Sequence, residues 1–454
     1  MALIERDDLK ELTVPRRVEL TETLFELLAV VLNNVHDTSY SVRFWKILLE
    51  SHAKAVIARR AILNSRPVHR RPDLFAFNSN RVPTRKMIFK RRLIDIAKHL
   101  KSWTDYKKVN RILTQYDRVR IGFFEYSGLD EEGIGVKLPN YHPFMLGGGE
   151  EEKRKSVNSI AETKDDLFLA NAIRELPRIL IEHFGKLNDS VKLIRPSEKE
   201  LHVHTTQTIF NQLLIAKYRE HGARLVWYQH GSFYGEFAGD SQHHYEHSIS
   251  EEFRTWGWKI KENDTPWKAY RLEKFRIEYE KYYNSNECDL LISFSKISDG
   301  NRDANKKLTD YLLNNLDPGE YKKVLARPQP ANKVFNQKSQ LDFISSSRVV
   351  KSTGLTHMAE DMSKCRLVLQ MRVPATNFLE CIYTNHPTVG ILNKDDYTDV
   401  VKPYYDFFLK HGVLHYNLES LARHLNSISI EEWWNTVKHQ KEFNEYRNTF
   451  TRTV

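Results

Sequence analysis

The stretch LHVHTTQTIFNQLLIAKYREHGARLVWYQHG, Leu201–Gly231, decides the fold class of this chain. A short apolar run opens it, a segment with helical spacing follows and ends at Gly222, and a second apolar run closes it. A strand, a helix and a strand in this order, with strands apolar on both faces, predict a parallel sheet covered by helices. The second strand ends on Gln229 and His230, where a loop at the carboxyl edge of that sheet begins.

The same alternation returns after Cys288. Apolar runs such as DLLISFS, KKVLARP, RLVLQM and PTVGIL alternate there with segments of helical spacing. The chain has 454 residues, which is long for a single hydrophobic core. We therefore predict an α/β fold with two doubly wound, Rossmann-like domains that face a cleft.

Changes of pattern along the chain predict its domain boundaries. Residues 1–115 have mainly helical spacing and predict a helical N-terminal region. One α/β domain is expected at residues 116–258 and a second at residues 288–454. The charged segment at residues 259–287 also has helical spacing, so we expect it to connect the two domains.

The chain is basic, with 69 lysine and arginine residues against 59 acidic ones and a net charge of +10. Such a charge favours polyanionic partners, namely nucleic acid, anionic lipid or phosphorylated substrates. The basic amphipathic segment Arg85–Trp103 is the one good candidate for an anionic membrane surface or a nucleic acid. No nucleic-acid motif accompanies it, so we predict no nucleic-acid partner.

The location of the protein is also suggested by what the sequence lacks. No apolar run approaches the roughly 20 residues that span a bilayer, and the first residues do not have a signal-peptide pattern. The three cysteines, Cys288, Cys365 and Cys381, match no metal or redox motif. These features predict a cytoplasmic protein that uses its thiols as small core residues.

Polar residues that follow the strand ending at Tyr228 are candidate catalytic groups. His230 stands where an imidazole can bind an anion or move a proton. The loop beyond it carries acids able to act as base or nucleophile at an anomeric carbon, and we select Asp240, Glu246 and Glu251. Several histidines make a zinc site conceivable, but this segment has no cysteine and no HExxH motif, so we predict no metal.

A second set of polar residues follows the strands of the C-terminal block. Arg327 ends the strand in LARPQP, and VKSTG places Ser352 and Thr353 after another strand. In VPATNFLECIYTNHPTVGI, Thr376 occupies the expected N-cap of a helix that begins at Asn377, with Glu380 near a capping-box position. A guanidinium, two hydroxyls and a helix N-terminus at one sheet edge predict a site for a nucleotide phosphate.

These motifs resemble a family of bacterial surface-carbohydrate transferases related to the retaining β-Kdo glycosyltransferases. The similarity covers about residues 200–395 and lies in the segments QHGSFYGE, TWGW and PATNFLECIYTNHPTVGI. The matching positions are Gln229, His230, Gly231, Tyr234, Gly235, Glu246, Thr255, Trp256, Gly257, Trp258, Thr376, Leu379, Glu380, Asn385 and Pro387. The chain departs from the family pattern at Glu251, where an aspartate is usual, and at Ala375, where a serine is usual.

The resemblance implies a GT-B-like glycosyltransferase of surface polysaccharide synthesis. Its donor would be a CMP-activated ulosonic acid such as Kdo, bound by the C-terminal domain, and its acceptor a glycan or a lipid-linked oligosaccharide. His230 and one loop acid would act at the donor sugar. Arg327, Ser352, Thr353, Thr376, Asn377 and Glu380 would bind the nucleotide. No cofactor is implied, and the basic surface would allow peripheral contact with the inner membrane.

Two alternatives remain open from the sequence. One is another GT-B-type enzyme, either a transferase with a different donor or an epimerase. The other is a basic, non-enzymatic nucleic-acid-binding protein, which would need basic and aromatic residues interleaved along one face.

Overall fold

The computed structural model describes residues 14–49, 52–53, 118–121, 134–136, 150–191, 200–204, 209–237, 241–282, 286–294, 302–328, 341–354, 356–392 and 397–452. The predicted basic helix at residues 85–103 and the candidate acid Asp240 lie outside the described residues. So does most of the predicted helical region at residues 1–115.

The chain forms two compact units. The first unit holds the described residues up to Tyr228 together with His244–Glu252. The second unit holds Gln229–His243 and the described residues from Phe253 onwards. The turn that follows Tyr228 therefore belongs to the second unit. The boundaries that the sequence suggests at residues 116, 259 and 288 stay predictions.

The first unit contains helices from the N-terminal part of the chain and the first strands. Its elements are α1 (Val14–His36), β1 (Arg118–Ile121), β2 (Ile134–Val136), α2 (Glu151–Glu162), α3 (Leu167–Arg174), α4 (Arg178–Ile181), α5 (Phe184–Ser190), β3 (Glu200–Val203), α6 (Ile209–Glu220) and β4 (Arg224–Tyr228). Residues 42–49 are also helical. Two further elements have residues in both units: α7 (Ser241–Ile249) and β5 (Glu252–Thr255).

The second unit contains the remaining elements. They are β6 (Asp264–Pro266), α8 (Tyr270–Tyr282), β7 (Cys288–Ser293), α9 (Arg302–Asn315), β8 (Val324–Arg327), β9 (Val349–Lys351), α10 (Met358–Ser363), β10 (Cys365–Val373), α11 (Thr376–Tyr383), β11 (Thr388–Leu392), α12 (Lys402–Lys410), β12 (Leu414–His415), α13 (Leu418–Leu425), α14 (Ile430–Lys438) and α15 (Lys441–Phe450).

The first sheet has the strand order β2-β1-β3-β4-β5-β6. Strands β3 and β4 pair in parallel, with Leu201 opposite Leu225 and Val203 opposite Trp227. The connection between them is α6, which forms the strand–helix–strand unit predicted from the sequence. These strand residues are buried because a parallel sheet with helical crossovers is covered on its faces.

The second sheet is parallel and has the strand order β12-β11-β10-β7-β8-β9. When its strands are counted along the chain from β7, this order is that of a Rossmann fold. The order reverses between β7 and β10, and ligands of open α/β sheets bind beyond the carboxyl ends of strands at such a reversal. The two parallel sheets confirm the predicted α/β class with two Rossmann-like domains.

Helices cover both faces of the second sheet. Successive residues in the middle of β7 point to opposite sides, since Leu290 and Ile292 pack in one hydrophobic cluster and Leu291 packs in another. The first cluster includes residues of α9 and α13, and the second includes residues of α8, α10 and α11. All three cysteines are buried and free, as the sequence predicts. Within the described residues, no helix has the length and apolarity needed to cross a membrane.

Removal of a buried side chain from the centre of the second sheet should destabilise the protein strongly. Leu369 lies on β10, between β7 and β11, and is fully buried. We expect Leu369→Ala to lower the free energy of unfolding by about 2–5 kcal/mol, because it removes buried apolar surface and leaves a cavity. The control is Val350→Ala on edge strand β9, where the side chain is exposed. Equal urea midpoints for the two variants would contradict this assignment of the core.

Candidate active site

The turn after β4 is held by the buried side chain of Gln229. Its Oε1 accepts hydrogen bonds from the backbone N–H of Trp256, at 2.7 Å, and from the indole Nε1 of Trp258, at 3.0 Å. Its Nε2 donates to the carbonyl of Gly231 at 2.8 Å. The sequence segments QHG and TWGW are therefore two sides of one hydrogen-bonded structure.

The turn also needs glycine where it meets an indole ring. Gly235 has a φ of +77°, and a Cβ at this position would lie 2.8 Å from Cε2 of Trp258. A side chain would meet both an unfavourable backbone conformation and a steric clash. The second glycine of the motif thus lets the backbone pass close to Trp258.

His230 is half-buried at the start of the turn. Its Nδ1 lies 2.8 Å from the Tyr234 hydroxyl, and the two rings meet at a steep angle with centroids 5.1 Å apart. The His230 carbonyl accepts a hydrogen bond from Nη1 of Arg271 at 2.9 Å. Both the imidazole and the backbone of this residue are therefore held in place within the second unit.

Helix α11 begins one residue earlier than the sequence suggests. Its N-cap is Ala375, whose side chain has no oxygen, so the prediction that Thr376 caps the helix was wrong. Glu380 consequently does not occupy a capping-box position. The Thr376 hydroxyl is used differently, because its Oγ1 accepts a hydrogen bond from the backbone N–H of Ser232 at 3.3 Å.

The helix N-terminus and the turn meet at this bond. A Cβ on Gly231 would lie 3.4 Å from Oγ1 of Thr376, so the turn passes in van der Waals contact with the first residue of α11. Ser232 is fully buried, and its Oγ has no hydrogen-bond partner among the described residues. A buried hydroxyl without a partner beside a helix N-terminus is a donor available to an anion.

Glu380 is connected to the turn through Arg271. The Glu380 carboxylate is buried, and its Oε1 lies 3.6 Å from Nη2 of Arg271, the guanidinium that also binds the His230 carbonyl. Burial raises the pKa of Glu380, while the charges of Arg271 and Arg327 oppose that shift. Oε2 of Glu380 has no hydrogen-bond partner in the described part of the chain.

Arg327 is buried and forms an ion pair with Asp361. It also donates to the hydroxyl of Thr356 at 3.1 Å and to the Thr356 carbonyl at 2.7 Å. Ser352 donates to the same carboxylate at 2.6 Å. The structure therefore brings Arg327 and Ser352 together around Asp361, whereas the side chain of Thr353 is exposed.

Asn377 links α11 to the strand on the other side of the sheet reversal. Its Nδ2 donates to Oγ of Ser293, the last residue of β7, at 3.0 Å. Ser293 is buried at the carboxyl end of its strand. Asn377 thus sets the position of the helix N-terminus at the point where ligands bind in folds of this type.

The predicted catalytic acids Glu246 and Glu251 belong to the first unit. Glu246 lies on α7 and is buried. Glu251 lies at the amino end of β4, where it accepts the backbone N–H of Leu225 at 2.8 Å and pairs with Arg219. These contacts give Glu251 a structural role, and its proposed action on a donor sugar remains a prediction.

Glu236, the acid that ends the turn, is fully buried. Tyr405 donates a hydrogen bond to its Oε2 at 2.6 Å. Burial raises the pKa of Glu236 to about 8, although the hydrogen bond from Tyr405 favours the charged form. Oε1 has no hydrogen-bond partner in the described residues, so the protonated acid fits this environment.

Sequence reasoning missed several residues that organise this site. Arg271 lies in a segment interpreted only as a connection between domains, and Asp361 lies in an ordinary helical pattern. Arg271 contacts His230 and Glu380, and the ion-pair partner of Asp361 is Arg327, so these contacts join segments that no local motif connects. The described residues contain no group of three or more histidine, cysteine or acidic side chains that could hold a metal ion. Among the histidines near this segment, His202 lies within hydrogen-bond distance of the Tyr228 hydroxyl and of Glu200.

A protein-family model described as "LIC12162 family transferase" matches residues 67–454, which is well over half of the chain. No protein with a curated description matches the chain in sequence.

Several solved structures share a distant likeness with the chain. The wall teichoic acid polymerase TagF has 11% identity and a TM-score of 0.34, over 56% of this chain and 68% of that one. The trehalose 6-phosphate synthase of Burkholderia multivorans has 11% identity and a TM-score of 0.39, over 69% of this chain and 81% of that one. The UDP-N-acetylglucosamine 2-epimerase of Rickettsia bellii has 12% identity and a TM-score of 0.38, over 74% of this chain and 98% of that one. Similarity this distant says nothing about the activity of this chain.

Loss of the Gln229 amide should destabilise the second unit. In Gln229→Leu, the Trp256 N–H and the Trp258 indole N–H lose their buried acceptor. We expect the free energy of unfolding to fall by about 2 kcal/mol or more, since each unsatisfied buried donor costs about 1–3 kcal/mol. Gln440→Leu is the control. The Gln440 amide donates to the carbonyl of Thr436, an exposed residue of α14, so its loss leaves no buried donor unsatisfied. Urea unfolding of both variants tests this, and similar midpoints would contradict it.

Titration of Glu236 should make the protein less stable as the pH rises. The folded protein keeps the Glu236 proton up to a pKa of about 8, while the unfolded chain releases it near the ordinary value of 4.5. Between these values the folded state binds more protons, so stability falls with rising pH by up to about 1.4 kcal/mol per unit. Glu236→Gln mimics the protonated acid, and we expect it to remove this slope.

The measurement is urea unfolding of both proteins from pH 5 to pH 9. Stabilities should agree near pH 5, diverge up to about pH 8 in favour of Glu236→Gln, and stay parallel above it. Glu419→Gln, at an exposed helical position, is the control and should follow the natural protein. Parallel curves for all three proteins across the whole range would refute the assignment.

Proposed function

Because the chain belongs to the LIC12162 transferase family, we propose that it is a glycosyltransferase of surface polysaccharide synthesis with a GT-B-like fold. The proposed donor is a nucleotide-activated sugar, and the proposed acceptor is a glycan or a lipid-linked oligosaccharide. The observation that carries this proposal is the junction between the turn at His230 and the N-terminus of α11, made by the Ser232–Thr376 hydrogen bond.

The proposed donor site lies at the reversal of strand order in the second sheet. The N-terminus of α11 carries a partial positive charge and unsatisfied backbone N–H groups, which favour a phosphate. The unpartnered hydroxyl of Ser232 adds a donor, and Arg271 adds a positive charge beside the turn. The Arg327 charge is matched by Asp361, so its proposed role is to position the Ser352 and Thr356 side chains.

The proposed chemistry is displacement of a nucleotide phosphate from the anomeric carbon of the donor. The carbon–oxygen bond to the phosphate breaks, and an acceptor hydroxyl forms the new glycosidic bond. The helix dipole would stabilise the departing phosphate without a metal ion. His230 is the proposed group that exchanges the proton, and Asp240, Glu246 and Glu251 stay the candidate catalytic acids that the sequence predicts.

A CMP-activated ulosonic acid such as Kdo is the donor we propose. Its support is the resemblance of the QHG, TWGW and PATNFLE segments to the β-Kdo transferases. The proposal places the enzyme in the cytoplasm, with peripheral contact to the inner membrane through basic residues. A different nucleotide sugar or an epimerase reaction is the alternative, and nucleotide preference distinguishes it.

Nucleotide binding tests both the general proposal of a nucleotide-sugar enzyme and the specific proposal of a CMP-linked donor. We expect CMP to raise the melting temperature of the protein more than UDP or GDP at equal concentration, because binding to the folded state alone is stabilising. Stabilisation by UDP but not by CMP would overturn the CMP-linked donor while leaving a nucleotide-sugar enzyme. The absence of any nucleotide effect would count against the donor site itself.

The Thr376 hydroxyl provides a sharper version of this test. Thr376→Val removes the acceptor of the Ser232 N–H and loosens the turn against α11, so we expect about tenfold weaker CMP binding, equivalent to about 1.4 kcal/mol. Thr436→Val changes the same groups on an exposed helical position and is the matched control. Titration calorimetry measures both, and equal affinities would exclude the junction as part of the site.

A further inference from the structure

A cavity of about 580 Å³ opens at the carboxyl end of β12. It is formed by the end of α12, the short strand β12 and one side of α13. Its lining includes Lys410, His415, Tyr416, Asn417 and His424. The volume lies within the range of small-molecule sites, and none of the nucleotide-binding groups proposed above lines it.

Two imidazoles of this cavity, those of His415 and His424, are neutral hydrogen-bonding groups at neutral pH. Burial lowers the pKa of His415, whose ring nitrogens lie 2.6 Å from Ser420 Oγ and 2.9 Å from the Gly412 carbonyl. Burial and the neighbouring His415 lower the pKa of His424 to about 4. Nε2 of His424 has no hydrogen-bond partner among the described residues. The cavity thus offers uncharged donors and acceptors.

Four aromatic residues, which we call the aromatic row, lie between the turn at His230 and this cavity: Phe233, Phe237, Tyr397 and Tyr416. Phe233 lies in the turn with 38% of its surface exposed, and its ring is 5.8 Å from that of Phe237. Phe237 forms an isolated β-bridge with Tyr397, and the hydroxyl of Tyr397 lies 3.4 Å from that of Tyr416. Tyr416 is 38% exposed and lines the cavity.

The row is firmly attached to the turn. The Thr398 N–H donates to the Glu236 carbonyl at 2.9 Å, and the Thr398 hydroxyl donates to the Gly235 carbonyl at 2.7 Å. All of these residues belong to the second unit. These bonds connect the segment that carries Tyr397 to the turn that carries His230.

We propose that this aromatic row and the cavity bind the oligosaccharide part of the acceptor, with sugar rings on the aromatic faces and one ring in the cavity. Sugar rings present C–H groups on their faces and hydroxyls at their edges, which suits aromatic rings followed by neutral hydrogen-bonding groups. The inference rests on the proposed glycosyltransferase function and specifies its acceptor as an extended glycan rather than a single sugar.

Other ligand classes fit these groups less well. An acyl chain would place apolar groups against the polar lining of the cavity, which includes Lys410, Ser420 and His424, and would leave Nε2 of His424 without a hydrogen bond. A polyphosphate carries several negative charges, and the cavity meets them with Lys410, while burial keeps His415 and His424 neutral at physiological pH. A polyhydroxylated, uncharged ligand satisfies the hydrogen-bonding groups without requiring a compensating charge.

Direct binding of defined oligosaccharides tests the proposal. The probes are maltohexaose, cellohexaose and chitohexaose, titrated calorimetrically against the full chain. We expect at least one to bind, and Phe233→Ala and Tyr416→Ala each to weaken that binding by about tenfold. The matched control is Tyr311→Ala, which removes a tyrosine of similar exposure, 39%, from α9 and should leave the affinity unchanged.

The outcomes separate this inference from the proposed donor site. If none of the three hexasaccharides binds, or if Tyr416→Ala and Tyr311→Ala bind them alike, the acceptor surface is overturned even where CMP still binds. If a hexasaccharide binds through Tyr416 and no nucleotide does, the glycan surface stands and the transferase proposal fails. Circular dichroism of each variant checks that a loss of binding is not a loss of folding.

Discussion

The buried amide of Gln229 is the contact on which the candidate site depends. A side-chain amide has two donors and a carbonyl oxygen, and here that oxygen accepts from Trp256 and Trp258 while the amide nitrogen donates to the Gly231 carbonyl. These bonds hold the turn in the conformation that presents His230. An apolar residue cannot replace this side chain without leaving buried donors unsatisfied, which explains why a core strand ends on a polar residue.

The charges around α11 form two separate arrangements. Asp361 matches Arg327 and is bonded by two hydroxyls, so this buried pair is fully engaged. Glu380 and Arg271 are less completely paired, because one carboxylate oxygen has no hydrogen-bond partner among the described residues. The second arrangement lies beside the helix N-terminus and is the one whose charge balance a bound ligand would change.

Much of the fold was predictable because burial leaves a pattern within short segments. The apolar runs of β4, β7, β10 and β11 and the helices between them indicated parallel sheets directly. The start of α11 was misplaced by one residue, since Thr376 is a common cap residue and the sequence does not show that its hydroxyl bonds elsewhere. Arg327 was correctly placed at a strand end, but its ion pair with Asp361 was not foreseen.

The sequence by itself determined the α/β class, the position of the turn at the end of β4 and the residue types available at the strand ends. These properties are local, because periodicity and turn chemistry act over a few residues. The tertiary structure alone decided which side chains meet. Ser232 and Thr376 are 144 positions apart, and Glu236 and Tyr405 are 169 apart. Such pairs form only when packed elements bring distant segments together, so no local pattern encodes them.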